Sequence, residues 1–262
     1  MSLDLPAFKQ RPIPSSAEAN ARKAGYRASV AIDAAGSLAS EPCVDVRSIG
    51  IAGANHYNTP HNPPYHLVVP GSIAELYLRT SVAAKLVEVN ARLAGIGVEL
   101  YLFDAWRPQA VQRYFHDEWF PKWLKARRPE LDGAALVEEV EHYWAAPSAG
   151  AGSPSPHSTG SAVDLTLVFR ETRQPLFMGG LFDDVTEDAW TDAYERRAIV
   201  SMSDAEAQAN RRLLYWVMSE AGFANNPTEW WHYSWGDQMW AKMGGAAAAH
   251  FGGCNPTRSP DT

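Results

Sequence analysis

Two short stretches hold the residue types of a hydrolytic metal centre. Ser155-Pro156-His157-Ser158-Thr159-Gly160-Ser161-Ala162-Val163-Asp164 is followed about sixty-five residues later by Glu229-Trp230-Trp231-His232. Together they supply two imidazoles and two carboxylates. Zinc takes neutral imidazole nitrogen and carboxylate oxygen, and a catalytic zinc keeps three protein ligands with a fourth position open to water. His157, Asp164 and His232 are the expected ligands of one Zn2+ per chain. Glu229, three residues from a ligand, is then the spare carboxylate, placed to take a proton from the attacking water.

The local sequence gives this reading its force. Gly160 and Ser161 permit a tight bend between His157 and Asp164. From Ala162 the run Ala-Val-Asp-Leu-Thr-Leu-Val-Phe reads as a buried strand in which Asp164 is the only charge. A charge there is costly unless it is paired or coordinates a metal. Glu229 and His232 pose a different problem, because residues three apart on a regular strand face opposite sides. Either the backbone bends or bulges between them, or Glu229 lies in the loop before the strand.

A third segment belongs with these two. Val98 to Phe103 reads as a strand, and Asp104-Ala105-Trp106-Arg107-Pro108-Gln109 as a turn leading into a helix. An arginine at such a strand end can stabilise the oxyanion that forms when an amide carbonyl is attacked. It can equally pair with Asp104 and do no more than cap the turn.

Ser-x-His-x-x-Gly-x-Ala-x-Asp, Glu-x-Trp-His and Asp-x-x-Arg-Pro, in this chain order Arg107, His157/Asp164, Glu229/His232, resemble the D-alanyl-D-alanine dipeptidases of vancomycin resistance and peptidoglycan-dipeptide recycling. These belong to a wider group of zinc peptidases that includes lysostaphin-like enzymes, D-Ala-D-Ala carboxypeptidases and the hedgehog signalling domain. The resemblance runs from about Tyr77 to Trp240. It implies zinc on His157, Asp164 and His232, Glu229 as catalytic base, and Arg107 on the scissile carbonyl. It also implies that Ser155 and Asp183 receive the free amino group of a small dipeptide substrate. One departure lies upstream: where the family carries an Asn-Phe motif that helps roof the substrate, this chain has Gly53-Ala54-Asn55-His56-Tyr57-Asn58. Two further readings are a zinc carboxypeptidase or endopeptidase on peptidoglycan stem peptides, and a zinc-stabilised binding module. Arg107 and Glu229 argue against the module, since a purely structural metal needs neither.

The elements that must position these residues follow from the rest of the chain. Its 262 residues are 46% apolar, enough to bury one full core. A net charge of −7 without a basic run disfavours nucleic acid and anionic membranes as partners. Charges and prolines in the first twenty residues do not suit a signal peptide, so a cytoplasmic location is expected. Cys43 and Cys254 lie outside the metal motifs and read as incidental thiols. Helices are expected over residues 74–94, 108–128 and 133–145, and over a fourth stretch started by a Ser203/Glu206 capping box and stopped at Gly222. The Gly/Ser/Pro-rich loop from Pro147 to Pro156 lies where it could flex at the mouth of the cleft. The expected fold class is α+β, a small, mainly antiparallel sheet carrying the metal with helices on one face. The expected organisation is a single domain over 1–262, with 1–48 an extended arm and 245–262 a peripheral low-complexity tail.

Overall fold

The computed structural model describes residues 4–144, 146–147, 150 and 152–256. Short helices α1 (Leu5–Phe8), α2 (Ser16–Lys23) and α3 (Tyr26–Ser29) come first, followed by strands β1 (Ala31–Ile32), β2 (Cys43–Asp45), β3 (Ala52–Gly53) and β4 (Tyr77–Arg79). Helix α4 (Thr80–Leu93), strand β5 (Val98–Asp104), helices α5 (Gln109–Arg113), α6 (Phe120–Arg127) and α7 (Gly133–Tyr143), and strand β6 (Ala162–Phe169) form the middle of the chain. Helices α8 (Ala193–Arg196) and α9 (Met202–Glu220), strands β7 (Ala224–Asn225) and β8 (His232–Ser234), helix α10 (Gln238–Gly244) and strand β9 (Ala248–Ala249) complete it.

The central sheet has the order β3-β5-β6-β8-β7 and is antiparallel except at the β3-β5 pair. This is the expected α+β arrangement. Strand β6 is buried along seven of its eight residues, and the pleat sends Val163, Leu165 and Leu167 to one side and Asp164 to the other. The first set joins a core with Val82, Leu86 and Val89 of α4 and Leu213, Leu214 and Val217 of α9. Burial of this apolar side fixes the register, and the register turns Asp164 toward the opposite face.

Several local expectations need correction. Residues 77–79, expected as helix, pair with β2 instead, because Leu76 and Leu78 are buried at period two and helical spacing begins only at Thr80. The helix expected over 108–128 passes through a π turn at Tyr114–Trp119, ahead of Pro121, which has no N–H to continue the regular ladder. The capping box at the start of α9 is Ser201 with Asp204, two residues earlier than expected.

The N-terminal arm holds three short helices where extended chain was expected, and it is fastened along its length. Ser16 N–H donates to Asp192, and Asp192 N–H donates back to the Ser16 hydroxyl. The Trp216 indole donates to the Arg11 carbonyl, and Gln238 donates to the carbonyls of Arg27 and Val30. The C-terminal segment is less peripheral than its composition suggested. β9 pairs in parallel with β1, and Phe251 is fully buried; residues 257–262 lie outside the described residues. No helix among the described residues is long and apolar enough to cross a membrane.

Candidate metal centre and catalytic cleft

Three neighbouring strands bring the polar residues of the site side by side. Asp104 at the end of β5 is paired in register with Asp164 of β6, and Asp164 with His232 of β8. Residues directly opposite on adjacent strands project to the same face, and an irregularity between Leu102 and Asp104 shifts β5 so that Asp104 joins that face. His157 comes from outside the sheet, on a 3-10 turn (Pro156–Thr159) that Gly160 ends at φ +70°. That left-handed conformation is one a glycine adopts without strain.

The three expected ligands converge, with one ligand atom from each lying within 4.8 Å of the others. His157 Nδ1 lies 2.7 Å from the Ala105 carbonyl oxygen. A carbonyl only accepts, so Nδ1 carries the ring proton and Nε2 presents its lone pair to the site. His157 Nε2 faces His232 Nδ1 at 3.1 Å and Asp164 Oδ2 at 3.3 Å, while Asp164 Oδ1 is 3.1 Å from His232 Nδ1. Asp164 Oδ1 is buried with no hydrogen-bond partner among the described residues. Two imidazoles and a carboxylate crowded on one point, with an orphaned buried oxygen among them, fit a divalent cation better than a closed hydrogen-bond network. Coordination would satisfy that oxygen and use the nitrogen lone pairs that the tautomer of His157 leaves free.

Glu229 lies in the loop before β8, the second of the two possibilities left open by its spacing. His232 N–H donates to the Glu229 carbonyl at 3.2 Å, so a tight turn places both side chains at one site, with Glu229 Oε2 3.5 Å from His232 Nδ1. Asn225 clamps this turn by donating to the carbonyls of Glu229 and His232. Sequence reasoning did not single out Asn225, which carries no charge and stands ahead of the motif.

Arg107 pairs with Asp104, as the turn-capping reading expected, and also reaches Asp164 of the ligand cluster. Its Nε donates to Asp104 at 2.8 Å and its Nη2 to Asp164 at 3.2 Å, while Gln112 and the Tyr57 hydroxyl accept from Nη1 and Nη2. Its carbon lies 4.5 Å from the centre of the Trp144 ring. Burial opposes its charge, but Tyr57, Asp104, Asp164 and Asp183 outweigh that and hold it firmly protonated. Burial pushes the Asp104 carboxyl up, against the pull of Arg107 and His157. Asp164 is held far below the ordinary carboxylate range: burial opposes its charge, but the two histidines outweigh it.

Asp183 is buried at φ +57°, a left-handed conformation uncommon outside glycine. Its Oδ2 accepts from the Tyr57 hydroxyl at 2.7 Å and the Tyr65 hydroxyl at 3.0 Å. Burial, then the negative charge of Asp164, push its pKa up to about 8 despite Arg107 and these hydroxyls. The segment of residues 53–58 supplies Tyr57, which bridges Arg107 and Asp183. Ser155 is buried and lines the same cleft. That cleft, about 500 Å³, is also lined by Arg107, His157, Asp164, Asp183, Glu229 and His232, so it gathers every residue expected at the site. Part of its lining was not foreseen: Lys23, Tyr26 and Arg27 of the N-terminal arm. The Ala/Ser/Pro-rich composition of that arm carries no signal for such a role. Of the loop from Pro147 to Pro156, residues 148, 149 and 151 lie outside the described residues, and Ser153 is held by Arg27.

Residues 68–245 match the peptidase M15 family model, described as D-ala-D-ala dipeptidase. A D-alanyl-D-alanine dipeptidase of Synechocystis is 37% identical over 63% of this chain and 71% of its own length. Those of Enterococcus faecalis and Streptomyces coelicolor are 31% and 32% identical, over 58% and 63% of this chain and 70% and 77% of their own lengths. A crystal structure of a vancomycin-resistance D,D-pentapeptidase with Zn(II) aligns at a TM-score of 0.38 and 14% identity, over 64% of this chain and 79% of that one.

Proposed function

The chain belongs to the peptidase M15 family of D-Ala-D-Ala dipeptidases, and from that membership we propose a zinc-dependent dipeptidase that hydrolyses D-Ala-D-Ala or a similar D-amino-acid dipeptide. The observation that carries the metal assignment is the convergence of His157, Asp164 and His232 around a buried carboxylate oxygen that accepts no hydrogen bond among the described residues. Three nitrogen and oxygen ligands are the complement of a catalytic zinc, one ion per chain. Bound there, zinc would lower the pKa of a water toward neutrality and polarise the substrate carbonyl.

The remaining chemistry falls to side chains of this protein. Glu229, partly exposed in the cleft beside His232, accepts the proton of the attacking water and delivers it to the leaving amine. Arg107, fixed by Asp104, Gln112 and Asp164, presents a positive charge to the carbonyl oxygen as negative charge develops there. Asp183 closes the amino-terminal end of the site: a carboxylate held by two tyrosine hydroxyls favours a substrate ammonium and disfavours an acylated amine. Ser155, which lines the same cleft, supplies a second polar contact for that amino group. The Arg107 guanidinium lies against the rings of Tyr57 and Trp144, 5.1 and 4.5 Å from their centres, which favour its charge.

A panel of LL, LD, DL and DD dipeptides with free and blocked termini tests this reading. Zinc-loaded protein is expected to cleave the DD dipeptide with both ends free and to lose that activity when the amino group is acylated. E229Q is expected to retain zinc and lose about two to four orders of magnitude in kcat, the range for a general base. Intact DD dipeptides after incubation with zinc-loaded protein would remove the proposal. Faster cleavage of longer stem peptides would redirect it to a carboxypeptidase.

A further inference from the structure

The family-matched segment begins at residue 68, yet Lys23, Gly25, Tyr26 and Arg27 line the cleft. Helix α2 ends at Lys23, Gly25 turns the chain, and Tyr26 opens α3. The anchoring bonds of Ser16 to Asp192 before this turn, and of Gln238 to Arg27 and Val30 after it, hold these residues in place.

Three cations line the cleft: Lys23, Arg27 and Arg107. Arg107 is committed to Asp104, Gln112, Tyr57 and Asp164. Arg27 spends its guanidinium on the Ser153 hydroxyl and on the carbonyls of Ser153 and Ala146, which fastens the neighbouring loop. Lys23 makes one side-chain hydrogen bond among the described residues, 2.7 Å to Asn226 Oδ1. An ammonium has three N–H donors, so Lys23 can serve a further acceptor in the cleft.

Its position relative to Glu229 decides what that acceptor is. Asn226, the residue Lys23 holds, accepts the Glu229 N–H through its carbonyl at 3.0 Å. The two side chains are also within each other's field: burial lowers the Lys23 pKa and the Glu229 carboxylate works against that. Glu229 must reach the nitrogen of the departing residue to protonate it. In a dipeptide the free carboxylate is separated from that nitrogen by a single carbon, so the group that receives it must lie close to Glu229.

We propose that Lys23, delivered to the cleft by the N-terminal arm, binds the free carboxylate of the leaving residue, so that the two charged ends of a dipeptide are read by Asp183 and Lys23. The inference rests on the dipeptidase reading and extends it. Asp183 rejects chains prolonged at the amino end; Lys23 disfavours those prolonged or blocked at the carboxyl end. The specificity for two free termini is thus divided between the family-matched domain and a segment outside it.

The test compares zinc-loaded wild type, K23M and K23R on D-Ala-D-Ala and on its carboxyl-terminal amide, with zinc content and thermal melting measured on each protein. K23M preserves the length of the side chain and removes its charge. A hydrogen bond between charged groups contributes on the order of 1.5–3 kcal/mol, or roughly ten- to a hundredfold. The preference of kcat/KM for the free acid over the amide is expected to fall at least about tenfold in K23M, mainly through KM, with part of it restored in K23R. Equal losses on acid and amide, or no loss in a folded, zinc-loaded K23M, would overturn the assignment of Lys23 and leave the dipeptidase reading standing. A wild type that cleaves neither compound would remove the dipeptidase reading, and this one with it.

Discussion

Asp183, the residue proposed to receive the substrate's amino group, carries an electrostatic cost of its own. In the folded, metal-free protein its carboxyl titrates near 8, driven up first by burial and then by Asp164, whereas in the unfolded chain it returns to the ordinary carboxylate value. Between roughly pH 4 and pH 8 the folded state therefore binds a proton that the unfolded state does not, and this contribution to stability is lost as pH rises through about 8. Urea unfolding of metal-free wild type and D183N from pH 5 to 9 is expected to show the wild type losing ground to the variant with increasing pH. A pH-independent difference between the two would contradict the buried, protonated carboxyl. At this scale the sequence was informative where charge was concentrated in motifs, as at His157, Asp164, Glu229, His232 and Arg107. It was uninformative where function depends on an aromatic hydroxyl or an amide. Tyr57, Tyr65 and Asn225 look like any core tyrosine or turn asparagine until the fold places them against Asp183 and the Glu229 turn.

The strands and turns that carry these residues were legible in proportion to how local their signals are. β5 and β6 followed from their apolar runs, and the end of α9 from Gly222, because burial and termination are written into consecutive residues. The strand at Tyr77–Arg79 was hidden because three residues are too few to show a period, and its pairing partner, Cys43–Asp45, is remote in sequence. The turn carrying His157 is the element on which the metal site depends most. Gly160 ends it at φ +70°, and a methyl group there would stand 3.0 Å from Cys43 Sγ and 3.2 Å from Cys254 Sγ. The two cysteines, 3.7 Å apart, thus pack against this turn and are not incidental to it. G160A is expected to cost about 1–2 kcal/mol from the left-handed backbone alone. Because His157 moves with the turn, zinc affinity measured by chelator competition should weaken as well. Unchanged affinity and melting would show that the turn tolerates a side chain.

For the molecule as a whole, composition bounded the fold class, but the two chain ends were undervalued by reading them as arm and tail. Both are low in periodicity, and their contacts are with residues far away in sequence, which no local pattern can reveal. Phe251 is fully buried near Arg79 and Trp235, so F251A is expected to destabilise the protein by about 3–5 kcal/mol, the range for deleting a buried aromatic ring. Differential scanning calorimetry checks this, and a melting temperature within a degree or two of wild type would place that ring outside the core. The parallel pairing of Ala31–Ile32 with Ala248–Ala249 has a further consequence for biosynthesis. A nascent chain that has emerged as far as residue 234 already contains His157, Asp164, Glu229 and His232, but it lacks Gln238 and the strand that pairs with Ala31–Ile32. The contacts of the arm with Asp192 and Asn226 are then available, but those that follow Lys23 in the chain, at Arg27, Val30 and β1, wait for residues 238–249 to emerge.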